Sequence, residues 1–549
     1  MGSALLAGVS GLKAHQQMLD VAGNNLANVN TLGFKSSRVT FSELLSETLR
    51  EASQPTGSTG GTNPVQIGSG TGLASVDRVM SQGGLMNTGR DLDMAIEGSG
   101  YFVLNDGQKD VYTRVGAFAV DSQNYLVDPG TGYRVQRIGY EGVAEGFQSA
   151  IDSSIRIPYA MTLSAKPTSE ISYSGNLTAD VAESTSNLMS SGMIYTAGGA
   201  PVTDATALTD LDQMTGLTNG DQIGITGFDA SGTAVNSTFT VTDATTDTRG
   251  DMLGAISGAY SGSTAKIVNG QLQLEDDAAG YSKTDLMLSY TGAGSFELPN
   301  YFRTLTPGSE GMQNIDVEVF DSQGIGHIMS ASFVKTSTPN TWDLVLTSMT
   351  GEVEQINDRR INGITFLTDG SYGGMGGAPA DDQTFTVTFS NDPGTPRTIA
   401  LDFGTIGEND GVTLTGGSTT VSARGQDGYA SGQLTALSAS REGTVMGLFT
   451  NGIRKEIAAL KLATFQNSAG LTALGNNYMA ASGNSGDPVP TTGLGGGAGA
   501  VRGGALEESN VEVAGEFVNL IQAQNGFQAS ARTIRVANEI LKELSGLIR

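Results

Sequence analysis

Asn24-Asn25-Leu26-Ala27-Asn28-Val29-Asn30-Thr31-Leu32-Gly33-Phe34-Lys35 is the stretch on which the fold turns. Asn and Gly accept left-handed backbone conformations, so they end helices and make turns. The stretch predicts a helix stop, a sharp turn and an extended exit. Upstream, Leu5, Val9, Leu12, Gln16, Leu19, Gly23 and Leu26 follow alternating steps of four and three. That spacing predicts a helix over 3–29 with one stripe facing a partner. Gln16 and Gly23 weaken the stripe, so the helix needs a neighbour to hold it. The far end repeats the pattern: Val513, Phe517, Leu520, Gln524, Phe527, Ala531, Ile534, Asn538, Leu541, Ser545 and Ile548. Polar residues in such a seam cost stability and help to set register.

Between these ends the chain reads as turns and alternating strands. A short helical turn is expected near Phe41–Leu49, and the Gly/Thr/Ser-rich run 54–72 reads as a linker. Strands are expected from residue 76 on, broken by turn signals such as Asn105-Asp106-Gly107 and Asp128-Pro129-Gly130. Val268-Asn269-Gly270-Gln271 predicts a hairpin, and Gly250–Tyr260 a short helix. Leu177 and Ile315 read as flanks of one module interrupted by another. A second hairpin is centred on Asn451-Gly452, and Thr491–Gly504 reads as a flexible connector. The predicted fold class is a multi-domain α+β chain. Paired N- and C-terminal α-helices, coiled-coil-like, carry mainly β outer domains inserted between them. We divide it into a helical inner core (1–30 with 506–549), a linking segment (31–75), an inner β domain (76–165 with 425–505), an outer β domain (166–189 with 299–424) and an extra outer domain inserted at 190–298.

Charge separates the ends from the middle. The net charge is −26 over 549 residues, yet residues 1–50 hold four basic and three acidic side chains, and residues 511–549 hold four of each. Residues 166–420 hold 9 basic and 31 acidic ones. A chain this acidic is repelled by phosphate backbones, so nucleic acid is not an expected partner. No run of apolar residues is long enough to predict membrane insertion. The N-terminus lacks the plan of a cleaved secretory signal.

Catalytic chemistry finds few residues to work with. There are no cysteines and two histidines, His15 and His327. Thiolate chemistry is excluded, and a zinc site would need mostly carboxylates. Asp91 and Asp93 share a face in a strand, where solvation is the ordinary fate of such a pair. The Gly495-Gly496-Gly497 run lacks the Gly-Lys-Ser/Thr of a phosphate loop. No catalytic residue, cofactor or metal is expected, and the chain does not read as an enzyme.

The Asn24–Lys35 stretch resembles the motif of the bacterial flagellar rod and hook axial proteins. So do Gly515-Glu516-Phe517-Val518-Asn519-Leu520-Ile521-Gln522-Ala523-Gln524-Asn525-Gly526-Phe527-Gln528-Ala529 and Gly428-Tyr429-Ala430-Ser431-Gly432, with Leu462-Ala463-Thr464-Phe465-Gln466-Asn467 and Val319-Phe320-Asp321-Ser322-Gln323-Gly324. These last stretches look like the hook branch of that family. The resemblance covers about 1–180 and 300–549 and is silent on 190–298. Asn525 stands where members often carry Arg, which puts any contact of that Arg in doubt. A cysteine–lysine cross-link between subunits is impossible here.

The resemblance implies a structural subunit that polymerises into the hook, a curved, flexible tube that acts as a universal joint between motor and filament. Its implied partners are further copies of itself, a hook cap scaffold protein, the distal rod protein, the hook–filament junction protein and the flagellar type III export apparatus. Its implied place is extracellular, in the flagellum, after export without a cleaved signal peptide. A distal rod subunit and an acidic β-rich surface adhesin are the alternatives. Asn24, Asn25, Asn28, Asn30, Thr31, Gly33, Phe34 and Lys35 are then expected to set turn geometry and inter-subunit hydrogen bonds. The terminal seams (Leu5, Val9, Leu12, Leu19 and Leu26 with Val513, Phe517, Leu520, Gln524, Phe527, Ile534, Asn538, Leu541 and Ile548) are expected to pair with each other and with neighbours.

Overall fold

The computed structural model describes residues 2–159, 161–179, 183–376 and 383–547. Most of the ordered backbone is strand, framed by a helix at each end. The helices are α1 (Gly2–Ala27), α2 (Arg249–Ala259) and α3 (Val513–Leu547). The chain forms two compact units, one of Met1–Leu163 with Gln433–Arg549, the other of Ser164–Gly432.

In the first unit α1 and α3 pack antiparallel. A methyl group placed on Gly8 would sit 2.8 Å from Ile534 Cγ1, and one on Gly11 would sit 3.0 Å from Ser530 Oγ. Further along, Gly526 lies against the His15 ring, and Asn25 Nδ2 donates to Glu516 Oε1 at 3.0 Å. Each pair of numbers sums to 541 or 542, which fixes the register over nearly five turns of α1. Small side chains make the closest contact. Gly8, Gly11, Ala14 and Ala22 are buried on α1, and Ala523 on α3. Glycine lets two helix backbones approach closely, so the line through Gly8, Gly11 and Gly526 becomes the contact.

After α1 comes an arm of four strands: β1 (Ser37–Glu43), β2 (Ser46–Arg50), β3 (Val65–Gly68) and β4 (Thr71–Arg78). β1 pairs with β4 and β2 with β3, and bridges at Ser53–Thr62 and Thr56–Thr59 carry the ribbon to its tip. The helical turn expected near Phe41–Leu49 is therefore strand, and the expected linker 54–72 is the tip and the return strand. Both faces of the outer half are exposed. Without a buried face there is no period of two to read.

The β part of this unit is laced from both ends of the chain. Tyr101–Asn105 pairs with Asp110–Thr113 and with Leu462–Thr464. Ala500–Gly503 pairs with Met94–Glu97, and Ala505–Glu507 with Leu85–Asn87. The expected connector Thr491–Gly504 thus contributes a strand. Tyr101, Val103, Tyr112, Ala463, Leu471 and Met479 form a shared core.

The second unit holds two hydrophobic cores. One joins Ile171, Tyr173 and Leu177 to residues from Ile315 to Val421 around Trp342, Phe385 and Phe403. The other runs from Met189 to Phe302 and includes Tyr195, Ile223, Ile256 and Leu274. Leu188–Ser190 and Arg303–Thr306 pair antiparallel, so the 189–302 segment enters and leaves by adjacent strands. Within it, Asn269 and Gly270 adopt φ of 52° and 79°, as the two-residue hairpin turn requires. Thr248 and Asp251 form a capping box at the start of α2.

Candidate assembly site at the Asn-rich motif

The motif begins in the last turn of α1 and continues as a series of tight turns after it. Asn28 N donates to Asn24 O at 3.2 Å and to Asn25 O at 3.1 Å, Thr31 N to Asn28 O, and Phe34 N to Thr31 O. Asn28 Nδ2 donates back to Asn24 O at 2.9 Å, and Thr31 Oγ1 to Asn28 Oδ1 at 3.1 Å. Asn24 and Asn30 are exposed. Gly33 has φ of 65° and sits against Val115, where a Cβ would be 3.0 Å from Val115 Cγ2. Left-handed backbone and lack of room both call for glycine there.

Asn25 is buried and fully engaged. Its Oδ1 accepts from Ser37 N at 2.9 Å while its Nδ2 donates to Ser37 O at 2.8 Å and to Glu516. One side chain therefore ties α1 to the start of β1 and to α3. The chain's far end completes the knot. Gly33 N donates to Glu507 O at 2.8 Å, and Asn477 Nδ2 to Leu32 O at 2.8 Å. Asn510 Oδ1 accepts from Ser36 N, and its Nδ2 donates to Val79 O at 2.7 Å. Asn510 N donates to Phe34 O.

At the centre lies a buried ion cluster. Lys35 Nζ meets Glu507 Oε1 at 2.6 Å, with side-chain exposures of 1% and 0%. Lys35 also donates to Ser81 O, and Gly83 N to Glu507 Oε1. Arg114 Nη1 lies 3.4 Å from Glu507 Oε2, and its Nη2 donates to Gly98 O at 2.7 Å. Burial pushes the Lys35 ammonium below its ordinary 10.5, against the pull of Glu507. Buried charges persist only when paired and hydrogen-bonded, and here every partner comes from a different segment.

The motif residues Asn25, Gly33, Phe34 and Lys35 thus meet the 477–516 region, whereas Asn24, Asn28 and Thr31 shape the turn itself. Sequence reasoning missed Glu507, Arg114, Asn477, Asn510 and Glu516. Nothing local marks them, because their role depends on a neighbour up to 491 positions away.

The seam residues divide. Leu5, Leu12, Leu19, Leu26, Leu520, Phe527 and Ile534 are half-buried, whereas Val9, Val513, Phe517, Gln524, Asn538 and Leu541 are exposed. Ile548 lies outside the described residues. Val518, Ile521, Ile540 and Leu544 on α3 are exposed too. The helix pair therefore presents large apolar side chains that nothing within the described residues covers. Arg535 and Glu539 make no ion pair among the described residues.

His327 is a satisfied core group. Its Nδ1 bonds Thr350 O at 2.8 Å, and its Nε2 lies 3.3 Å from Asp321 Oδ2. No cluster of three or more His, Asp or Glu side chains among the described residues is placed to hold a metal. No helix among them is long and apolar enough to cross a membrane.

Four family models match the chain. They are the flagella basal body rod protein over residues 5–35, the flagellar hook protein FlgE/F/G D1 domain over 95–179, the flagellar basal body protein FlaE D2 domain over 291–429, and the flagellar basal body rod FlgEFG protein C-terminal region over 502–547. The flagellar hook protein FlgE of Treponema pallidum is 31% identical over 556 residues, spanning 100% of both chains. That of Borreliella burgdorferi is 29% identical over 558 residues, spanning 99% of each. The flagellar basal-body rod protein FlgG of Bacillus subtilis is 47% identical over 132 residues, 24% of this chain and 50% of that one.

Proposed function

The chain belongs to the flagellar hook protein family, and on that premise we propose how it builds a hook. Further copies of α1 and α3 cover the apolar side chains that the helix pair leaves exposed. The pair then lines a tube in coiled-coil-like contact with its neighbours, and the acidic β modules face outward. The observation that carries this reading is the helix contact itself. Its closest approaches set Gly8 against Ile534, Gly11 against Ser530 and Gly526 against His15, while Val9, Val513, Phe517, Ile521, Ile540 and Leu541 stay exposed. Exposed large apolar residues in continuous rows mark interaction surfaces.

The Asn24–Lys35 turn is the elbow of the subunit, held by Asn25, Lys35 and Glu507. Residues 190–298 form an added outer domain. Weak polar contacts between outer modules let subunit spacing change as the tube turns, which makes it a universal joint. The subunit leaves the cell through the flagellar type III export apparatus, without a cleaved signal, and acts outside it. The hook cap scaffold guides assembly, and the distal rod protein and the hook–filament junction protein abut the two ends.

A distal rod subunit is the second reading. The rod protein's likeness stops at a quarter of this chain, whereas hook relatives match it end to end, which favours the hook. Deleting Leu5–Leu26 tests the proposal. The full chain should form sedimentable tubes and the truncated chain should stay in the supernatant with its β modules folded. Tubes formed equally well by the truncated chain would refute it.

A further inference from the structure

The antiparallel register leaves α3 longer than its partner. Gly8 faces Ile534, and Ala4 lies in the groove that also holds Ala537 and Ile540. Continued at the same register, the first residue of α1 faces residue 539 or 540. Among the described residues, 540–547 therefore project past the Gly2 end of α1 with no helix beside them. Ile540, Leu541 and Leu544 are exposed on this overhang, and Glu539 and Glu543 flank them.

On the other flank of α1 lies an open groove of about 500 Å³ between the helix and the β ribbon. Leu6 and Val9 form one wall, Leu44 and Leu73 the other, and all four are exposed. The ribbon is fixed there, because Thr71 N donates to Ser10 Oγ at 3.2 Å and Gly70 lies directly against Ser10. Lys13 stands at the rim, with no ion-pair partner among the described residues.

We propose that the α3 overhang, residues 540–547, seats in the α1–ribbon groove of a second copy of this chain. The inference rests on the polymer reading and adds the surfaces that join one subunit to the next. Length fits: the overhang is about 12 Å of helix and the groove along Leu6–Gln17 about 17 Å. Chemistry fits as well, since Ile540, Leu541 and Leu544 meet Leu6, Val9, Leu44 and Leu73 while Glu543 and Glu539 approach Lys13. The overhang cannot fill its own groove. Its own α1 residues 6–17 lie beside residues 524–535, and the overhang points away from them. A heterologous contact of this kind propagates from copy to copy, as a tube requires.

The absence of cysteine gives a clean background for the test. A chain carrying Leu73→Cys and Leu544→Cys is assembled and mildly oxidised. A ladder of linked multimers that needs both cysteines is the expected result. Tubes visible by electron microscopy that yield only monomer would overturn the docking and leave the polymer reading intact. Failure of the unmodified chain to form tubes would overturn both. Should the cysteine pair itself block assembly, charge reversal decides. Lys13→Glu or Glu543→Lys alone should raise the critical concentration about threefold, and the two together should restore it. A double variant that assembles worse than either single one would overturn the docking.

Discussion

Glu507 receives Lys35, Arg114 and the Gly83 amide in a site closed to water. Removing the carboxylate strands two buried cations, so Glu507→Ala should destabilise the first unit by about 3–5 kcal/mol. Lys35→Met alone leaves Glu507 paired with Arg114 and should cost less than that in a denaturant titration. In the second unit, Asp427 joins residues 166–170. It accepts from Lys166 Nζ at 2.7 Å, Ser169 N at 2.8 Å and Glu170 N at 2.9 Å. Burial raises the carboxyl, but these donors outweigh it and hold it well below its ordinary 3.8. A depressed carboxylate stabilises the fold above its unfolded value and loses that contribution as pH falls through its folded one. The gap in stability between the wild-type chain and Asp427→Asn should therefore be full above about pH 4 and shrink in stronger acid. At this scale the sequence showed that Asn24–Lys35 turns the chain. It could not show Glu507 as the partner of Lys35, because pairing across 472 positions is a property of the fold.

The two terminal helices were legible from their spacing, and so was the turn between α1 and β1. The contact between the helices was not. A four-three stripe finds the large residues, whereas the closest approach follows Gly8, Gly11 and Gly526, which carry no hydrophobic signal. Gly526→Ala pushes a methyl group into the His15 ring and should cost the pair about 1–3 kcal/mol, read as an earlier loss of helical circular dichroism on heating. An unchanged melting curve would show that the pair does not close as described. The ribbon 37–78 escaped sequence reading for the opposite reason. Its outer strands bury neither face, so Leu45, Leu49, Val65 and Ile67 are exposed without any period.

For the whole molecule, the charge pattern has a physical counterpart in the proposed tube. The near-neutral ends can pack closely, while the 31 acidic against 9 basic residues of 166–420 favour water and weak contacts. The 189–302 segment has a core of its own, and none of the four family models covers 180–290. Removing 190–298 and joining Met189 to Pro299 should leave tube formation intact, measured by sedimentation, because the terminal helices carry assembly. The most direct measurement is a cryo-EM helical reconstruction of tubes assembled from the purified chain. The innermost wall of such a tube should be α1 and α3, with Val9, Phe517, Ile521 and Leu541 buried between copies. Tubes in which those side chains still face solvent, with the β modules alone making the contacts, would contradict it.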